Sequence, residues 1–272
     1  MGSLTYGGSY TTYLGIEWST AQNGTYPVNN DVITPGTPYQ GYSIGVNGNY
    51  GVASFYSGHT LGGTTTQSGL STMTTGGGYG GVGFSQSLSF GLNSGIIHFV
   101  DTFQNTTGGT LPNVAFSTEF DPDPDVYQYG SYTTRNNILS SSVVQANGPS
   151  TGLTILIQGL TAGSIPSVVG GWPDDNPYDL VNGTGGVTSQ TVGFTDFEDY
   201  SIGMAWELGD MTAGETETIS FNYIINGTPV TTTSPILGGG GTGAPDGGST
   251  CALLGLAVAG LGYGRRLIAK RA

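Results

Sequence analysis

The sequence predicts an all-β fold, an antiparallel β-sandwich of jelly-roll or immunoglobulin-like character, and three observations carry that prediction. Apolar and polar residues alternate with a period of two in stretch after stretch, the pattern of strands with one face buried. Glycine, asparagine and proline punctuate those stretches; glycine alone accounts for 50 of 272 residues. Before residue 244 no apolar series recurs at helical spacing. Sheets that are polar on one face must pack in pairs, which makes a sandwich the natural outcome.

The first alternating stretch is Tyr10, Thr12, Leu14, Ile16 and Trp18, followed by a loop rich in Asn, Pro and Gly. Tyr42-Ser-Ile44-Gly-Val46 and Tyr50-Gly-Val52 then flank Asn47-Gly48, the strongest hairpin signal in the chain. Residues 57–81 are rich in Gly, Thr and Ser with little periodicity and read as a long surface loop. Val82, Phe84, Leu88, Phe90 and Leu92 lie in phase on one strand, interrupted only by Gln86. The stretches 96–103 and 111–120 read as a strand pair joined by Gln104-Asn-Thr-Thr-Gly-Gly109, with Val114, Phe116 and Phe120 on one face.

Residues 151–160 give another strand, with Leu153, Ile155 and Ile157 inward. Tyr200, Ile202, Met204, Trp206 and Leu208 alternate without a fault, as do Ile219, Phe221, Tyr223 and Ile225. Between them, Leu208 to Phe221 resembles the closing hairpin of many bacterial extracellular sandwich domains. Past Gly227 the composition shifts to Thr, Pro and Gly, ending in Gly238-Gly-Gly-Gly241. The organisation expected is therefore a sandwich domain over 1–227, a flexible tether over 228–243 and a C-terminal segment over 244–272.

Charge narrows the function classes. The part before the C-terminal segment holds seventeen of the eighteen acidic residues and one of the five basic ones, Arg135, for a formal charge of −16. Such a surface repels nucleic acid and anionic membranes. The single cysteine, Cys251, lies in the C-terminal apolar run, so neither a disulfide framework nor a thiolate metal site is available.

Two motif matches fail on context. Gly41-Tyr-Ser43-Ile-Gly45 has the spacing of a nucleophile elbow but sits inside an alternating strand. Gly76-Gly-Gly78-Tyr-Gly-Gly81 has the spacing of a dinucleotide fingerprint but lacks a strand before it and a helix after it. His59 and His98 are too few for most zinc sites, and His98, between Ile97 and Phe99, reads as a structural residue.

Acidic loops are the stronger candidates. Asp121, Asp123 and Asp125 alternate with Pro122 and Pro124, which hold the backbone extended and the charges close. Calcium takes six to eight oxygen ligands from short acidic loops of this kind, and Asn136 or Asn137 could complete the shell. A solvated acidic turn is the competing reading. The pattern is not an EF-hand, since Val126 replaces the required Gly and Tyr132 the bidentate Glu. Asp174, Asp175 and Asp179 form a weaker group, and Asp196, Glu198 and Asp199 another. Trp172, Tyr127, Tyr129 and Tyr132 are candidate platforms for a sugar. An enzyme acting on polysaccharide would need two carboxylates facing across a cleft, with Glu119 and Glu207 among the possible sources.

The C-terminal segment is the most specific signal. Pro245-Asp246-Gly247-Gly248-Ser249 precedes an uncharged stretch from Ser249 to Gly264, and Arg265, Arg266, Lys270 and Arg271 follow it. As a helix that stretch would span roughly 24 Å, short of a hydrocarbon core of about 30 Å unless Leu267 and Ile268 extend it past snorkelling arginines. Basic residues behind it place that end in the cytoplasm and the body outside. In order and spacing these parts resemble the PEP-CTERM family of bacterial sorting tails, in its Pro-Asp-Gly/Ser-Gly variant; Ala244 stands where that variant usually has Val.

That resemblance implies an exported protein, tethered briefly in the inner membrane, cleaved near the motif by an exosortase and released to the cell surface or extracellular matrix. It also implies a bacterium that makes exopolysaccharide. Met1 to Trp18 contains neither a basic nor an apolar signal-peptide region, so the expectation is a start truncated upstream. The functional readings, in order, are a non-catalytic structural or adhesive protein, a carbohydrate-binding sandwich and a polysaccharide-active enzyme.

Overall fold

The computed structural model describes residues 39–54, 58–68, 71–91, 95–171 and 173–225. The chain divides into two units, Met1–Leu237 and Gly238–Ala272, and all described residues belong to the first. The strand expected at Tyr10–Trp18, the tether and the whole sorting segment lie outside the described residues.

In chain order the elements are β1 (Tyr39–Val46), β2 (Asn49–Ser54), β3 (Gly58–His59), β4 (Thr64–Ser68), β5 (Ser71–Tyr79), β6 (Val82–Phe90), β7 (Ile96–Asn105) and β8 (Leu111–Asp121). There follow α1 (Val126–Tyr129), β9 (Thr134–Ser140), β10 (Val143–Asn147), β11 (Thr154–Gly159), β12 (Ile165–Gly170) and α2 (Pro177–Asn182). Last come β13 (Val187–Ser189), β14 (Thr195–Glu198), β15 (Tyr200–Met211) and β16 (Thr216–Ile225). Neither helix is long and apolar enough to cross a membrane.

These strands form two sheets. One has seven strands in the order β13-β12-β15-β8-β1-β2-β3, the other nine in the order β14-β9-β10-β11-β16-β7-β6-β5-β4. The all-β, antiparallel character expected from the alternation is what forms. The residues predicted to face inward do so together: Val82, Phe84, Phe116, Phe120, Ile155, Ile157, Met204, Trp206, Phe221 and Tyr223 share one core between the sheets. Phe116 sits at its centre, with the rings of Phe103 and Trp206 at 5.0 and 6.0 Å. The Asn47-Gly48 turn also forms as expected: both residues take positive φ, 51° and 79°, and Val46 pairs with Asn49.

Three expectations are corrected. Residues 57–81 are not a loop, because β4 and β5 form an antiparallel ribbon on the edge of the nine-stranded sheet. Thr64-Thr-Thr66 and Ser71-Thr-Met-Thr-Thr75 favour strands through β-branching, yet an edge ribbon needs no apolar face and so shows no alternation. Secondly, the stretches 96–103 and 111–120 are not a pair: β7 belongs to the nine-stranded sheet and β8 to the seven-stranded one. Thirdly, β15 and β16 are not a closing hairpin but lie in opposite sheets as well.

Both of those crossings are clasped by one residue. The buried Asn105 donates its side-chain amide to the carbonyls of Gly109 and Met211, at 2.7 and 2.9 Å. Its backbone N–H donates to Glu215 and its carbonyl accepts from Gly214. The intersheet arches 106–110 and 212–215 therefore share one fastening.

The outer face of the seven-stranded sheet is covered by α2, and small residues make room for it. A Cβ on Gly45 would stand 2.7 Å from the Tyr178 ring, and one on Gly203 2.7 Å from Leu180. Asn176 caps the helix, its side chain accepting from the Tyr178 N–H, and Gly183 ends it in the left-handed region. At four and six residues, α1 and α2 are too short to print a helical period on the sequence.

Candidate metal centre

Strand β8 alternates between the core and the outer face. Phe116, Thr118 and Phe120 point inward, so Glu119 and Asp121 point outward. Thr118 meets the Tyr223 hydroxyl at 2.6 Å inside the core, and Gln40 donates to the same hydroxyl. Asp121 ends the strand, and Pro122 and Pro124 carry the chain past Asp123. Meanwhile β14 ends at Glu198, and Asp199 is the single residue before β15 begins. Because Ile202 pairs with Phe120, the residue before it, Ser201, lies next to Asp121 on the neighbouring strand.

This topology brings together Asp121, Asp123 and Asp199. One carboxylate oxygen from each lies within 4.8 Å of the others. Asp121 and Asp123 are buried, with 6% and 2% of their surface exposed, while Asp199 is open to solvent. The Oδ1 atoms of both buried acids have no hydrogen-bond partner, and the buried Ser201 hydroxyl lies against Asp121. Burial, reinforced by the Asp199 charge, pushes Asp121 up to about 7. Burial again, with the charges of Asp121 and Asp199, pushes Asp123 up to about 8. Asp199 is raised too, by partial burial and by Glu198. The group is a set of hard oxygen donors short of a positive partner.

Asp125, expected in the same shell, is elsewhere. Its backbone has already turned into the helical region ahead of α1, with φ −96° and ψ −9°. Its side chain accepts from the backbone N–H groups of Ser150 and Thr151, at 2.8 and 2.9 Å, and from the Thr151 hydroxyl at 2.5 Å. The Asp-Pro-Asp-Pro-Asp spacing placed three acids in one row, but the turn into α1 redirects the third to pin the 148–152 turn. Asn137 is committed as well, donating to Gln145 and accepting from Thr195. Asn136 donates to the carbonyl of Glu198 beside Asp199, and its own Oδ1 has no partner.

The weaker acid groups divide. Asp174 accepts from the N–H groups of Asn176 and Gly186, and Asp179 from the Asn176 amide and the Thr184 hydroxyl. Asp175 accepts from the Tyr39 hydroxyl. These acids pin the α2 segment. Asp196 accepts from the Phe197 N–H, whereas its neighbour Asp199 joins the cluster. Arg135 sits over the Phe197 ring at 4.5 Å.

Glu119 is buried beneath α2, held well above the usual carboxylate range by desolvation, with Asp174, Asp175 and Asp121 adding to it. Glu207 is exposed, further along the same face of the sheet. Glu119 pairs with Gly203 and Glu207 with Ala115, so the two acids stand four residues apart along the paired strands. A hollow of about 300 Å³ on the nine-stranded sheet is lined by Gly76, Gly83, Ser85, Thr102, Gln104 and Thr216, among others, and by no carboxylate. Ser43 of the elbow-like spacing is buried within β1, and Gly80-Gly81 of the fingerprint-like spacing is the β5–β6 turn. His98 is a buried structural residue, its Nδ1 2.8 Å from Asn222 Oδ1.

Of the aromatic candidates, Tyr129 and Tyr132 are about half exposed, at 52% and 48%. Trp172 and the side chain of Tyr127 lie outside the described residues, as does the side chain of His59.

No family model matches the chain, and no curated protein matches it. Among solved structures it is similar to a TPR-domain containing protein from Parabacteroides distasonis ATCC 8503, with 11% identity and a TM-score of 0.37. That match covers 69% of this chain and 38% of the other, so this chain spans well under half of that protein. It is also similar to a candidate aldose 1-epimerase from Escherichia coli K12, with 12% identity and a TM-score of 0.36, covering 60% and 68% of the two chains. Likeness at this level carries no argument about function.

Proposed function

We propose that the protein is an exported, exosortase-processed component of a bacterial surface or extracellular matrix, non-catalytic and structural or adhesive in role. The observation that carries this reading is the order of the C-terminal parts: Pro245 to Ser249, then the uncharged stretch to Gly264, then Arg265, Arg266, Lys270 and Arg271. The body is compatible with it. Strand β16 ends at Ile225 and lies inside the nine-stranded sheet, so all the described strands precede the Thr-, Pro- and Gly-rich stretch over 228–243. A jelly-roll or immunoglobulin-like character belongs to the same proposal, motivated by the repeated crossing of the chain between sheets.

In the native host, intact-mass measurement of the extracellular protein is expected to show cleavage near Pro245–Ser249, with the basic residues gone. Recovery of a cytoplasmic chain that still carries Arg271 would reject the reading.

Carbohydrate binding is the second reading, favoured by the exposure of Tyr129 and Tyr132. Retardation of the protein in gels containing the host exopolysaccharide, lost in Tyr129→Ala/Tyr132→Ala, is the expected result. Equal mobility of both proteins with and without polysaccharide would exclude these tyrosines as a platform.

A further inference from the structure

We propose that Asp121, Asp123 and Asp199 together hold one divalent cation, calcium by its ligand chemistry, and that this ion fastens the two sheets to each other. Proximity of the three carboxylates is the first observation. The second is burial without satisfaction: the Oδ1 atoms of Asp121 and Asp123 lie in this corner with no hydrogen-bond partner, on side chains only 6% and 2% exposed. The wholly buried Ser201 hydroxyl lies against Asp121 and supplies a further oxygen beside them. Buried polar atoms are rarely left so, because each forfeits its hydration for nothing. A cation satisfies both at once.

The ligand set consists of oxygens alone, which excludes a preference for zinc or copper and leaves the hard divalent ions. Magnesium demands a near-ideal octahedron and keeps most of its water. Calcium tolerates irregular sets of six to eight oxygens, and here Asp199 on the open side leaves room for water to complete them. Two of the three carboxylates are buried, which suits an ion that holds the fold rather than one that bridges to a ligand.

The position of the corner gives the ion its role. At Asp121 the chain leaves the seven-stranded sheet, and through α1 it enters the nine-stranded one at β9. At Asp199 it returns, from β14 of the nine-stranded sheet to β15 of the seven-stranded one. An ion shared by these acids ties an outgoing crossing to an incoming one. It does so at the end of β8 opposite the Asn105 clasp, so the sandwich would be fastened at both ends. This inference stands apart from the export reading, since cation binding is measured on the isolated chain.

The test is thermal unfolding of the full-length chain in millimolar calcium and in chelator, followed by circular dichroism, with equilibrium dialysis for stoichiometry. Calcium at about tenfold excess over Kd should raise the Tm by about 3 to 6 °C, with one ion bound per chain. Asp199→Asn, at an exposed position, should fold and lose that rise. Asp125→Asn should lower the Tm in both conditions and keep the rise, because its bonds to Ser150 and Thr151 are structural. Identical wild-type melting in calcium and chelator, or a full rise in Asp199→Asn, would overturn the site. An equal rise with magnesium would overturn the choice of calcium.

Discussion

Replacing Phe116 with alanine is expected to destabilise the domain by about 3 to 5 kcal/mol, the cost of removing a fully buried phenylalanine. Phe116 is wholly buried in the seven-stranded sheet and faces the other sheet directly. Its ring meets those of Tyr42, Phe84, Phe103, Trp206 and Phe221, with centroid separations from 5.0 to 6.5 Å. These partners come from β1, β6, β7, β15 and β16, strands of both sheets, so no single side chain can rotate into the void. Total stabilities of about 5 to 15 kcal/mol make such a loss a large fraction of the whole. Urea denaturation should show a lower midpoint with an unchanged slope. A loss below about 1 kcal/mol, comparable to Tyr132→Ala at the surface, would mean the core had closed around the cavity.

Asp101 sets the second large effect, one that depends on pH. It lies in β7 with its side chain turned into the core, fully buried, touched by Gln86 Nε2 at 3.4 Å while its Oδ1 has no partner. Desolvation holds its carboxyl well above the usual range, against the smaller opposing influence of Gln86. The same carboxyl helps to raise the hydroxyl of Tyr42, which burial pushes to about 12.

The native state therefore keeps a proton that the unfolded chain releases above pH about 4. Its contribution is intact below that pH and is lost as pH rises toward the folded value. The loss runs at up to about 1.4 kcal/mol per pH unit until the folded value is reached. Asp101→Asn removes this share. The variant should match the wild type near pH 4 and exceed it increasingly toward pH 7. Parallel stability curves for the two proteins across that range would show that Asp101 ionises freely in the fold.

What the sequence made legible, and what it hid, follows from the range of each signal. Alternation is local, so Ile202-Met204-Trp206 and Ile219-Phe221-Tyr223 announced their strands and their inward faces. Asn47-Gly48 announced its turn because positive φ at two adjacent positions restricts the residues that fit. A hairpin and an intersheet arch impose the same alternation on the strands they join. Nothing in Leu111–Asp121 therefore told that it leaves β7 for the other sheet. Thr64 to Thr75 carried no alternation because an edge ribbon buries neither face.

The site divides the same way. Asp121, Asp123 and Asp125 are neighbours in sequence, but the turn into α1 takes Asp125 away from the other two. Asp199 was visible only as one acid among Asp196, Glu198 and Asp199. Its distinguishing mark is position: it is the lone residue between two strands of different sheets. That mark exists only once the topology is known, and the same holds for Ser201.

The place of β16 has a consequence for when this protein can fold. It lies between β11 and β7, pairing Ile157 with Tyr223 on one side and Phe99 with Phe221 on the other. Until Ile225 has been synthesised, the nine-stranded sheet remains two fragments, each with a raw inner edge. The pairing of β16 with β7 joins some of the residues farthest apart in the chain among the described strands. Such long-range closure makes folding slow and late. Until then the two fragments of that sheet carry unpaired edges at risk of joining other copies. Delay of that kind is a hazard in a crowded compartment.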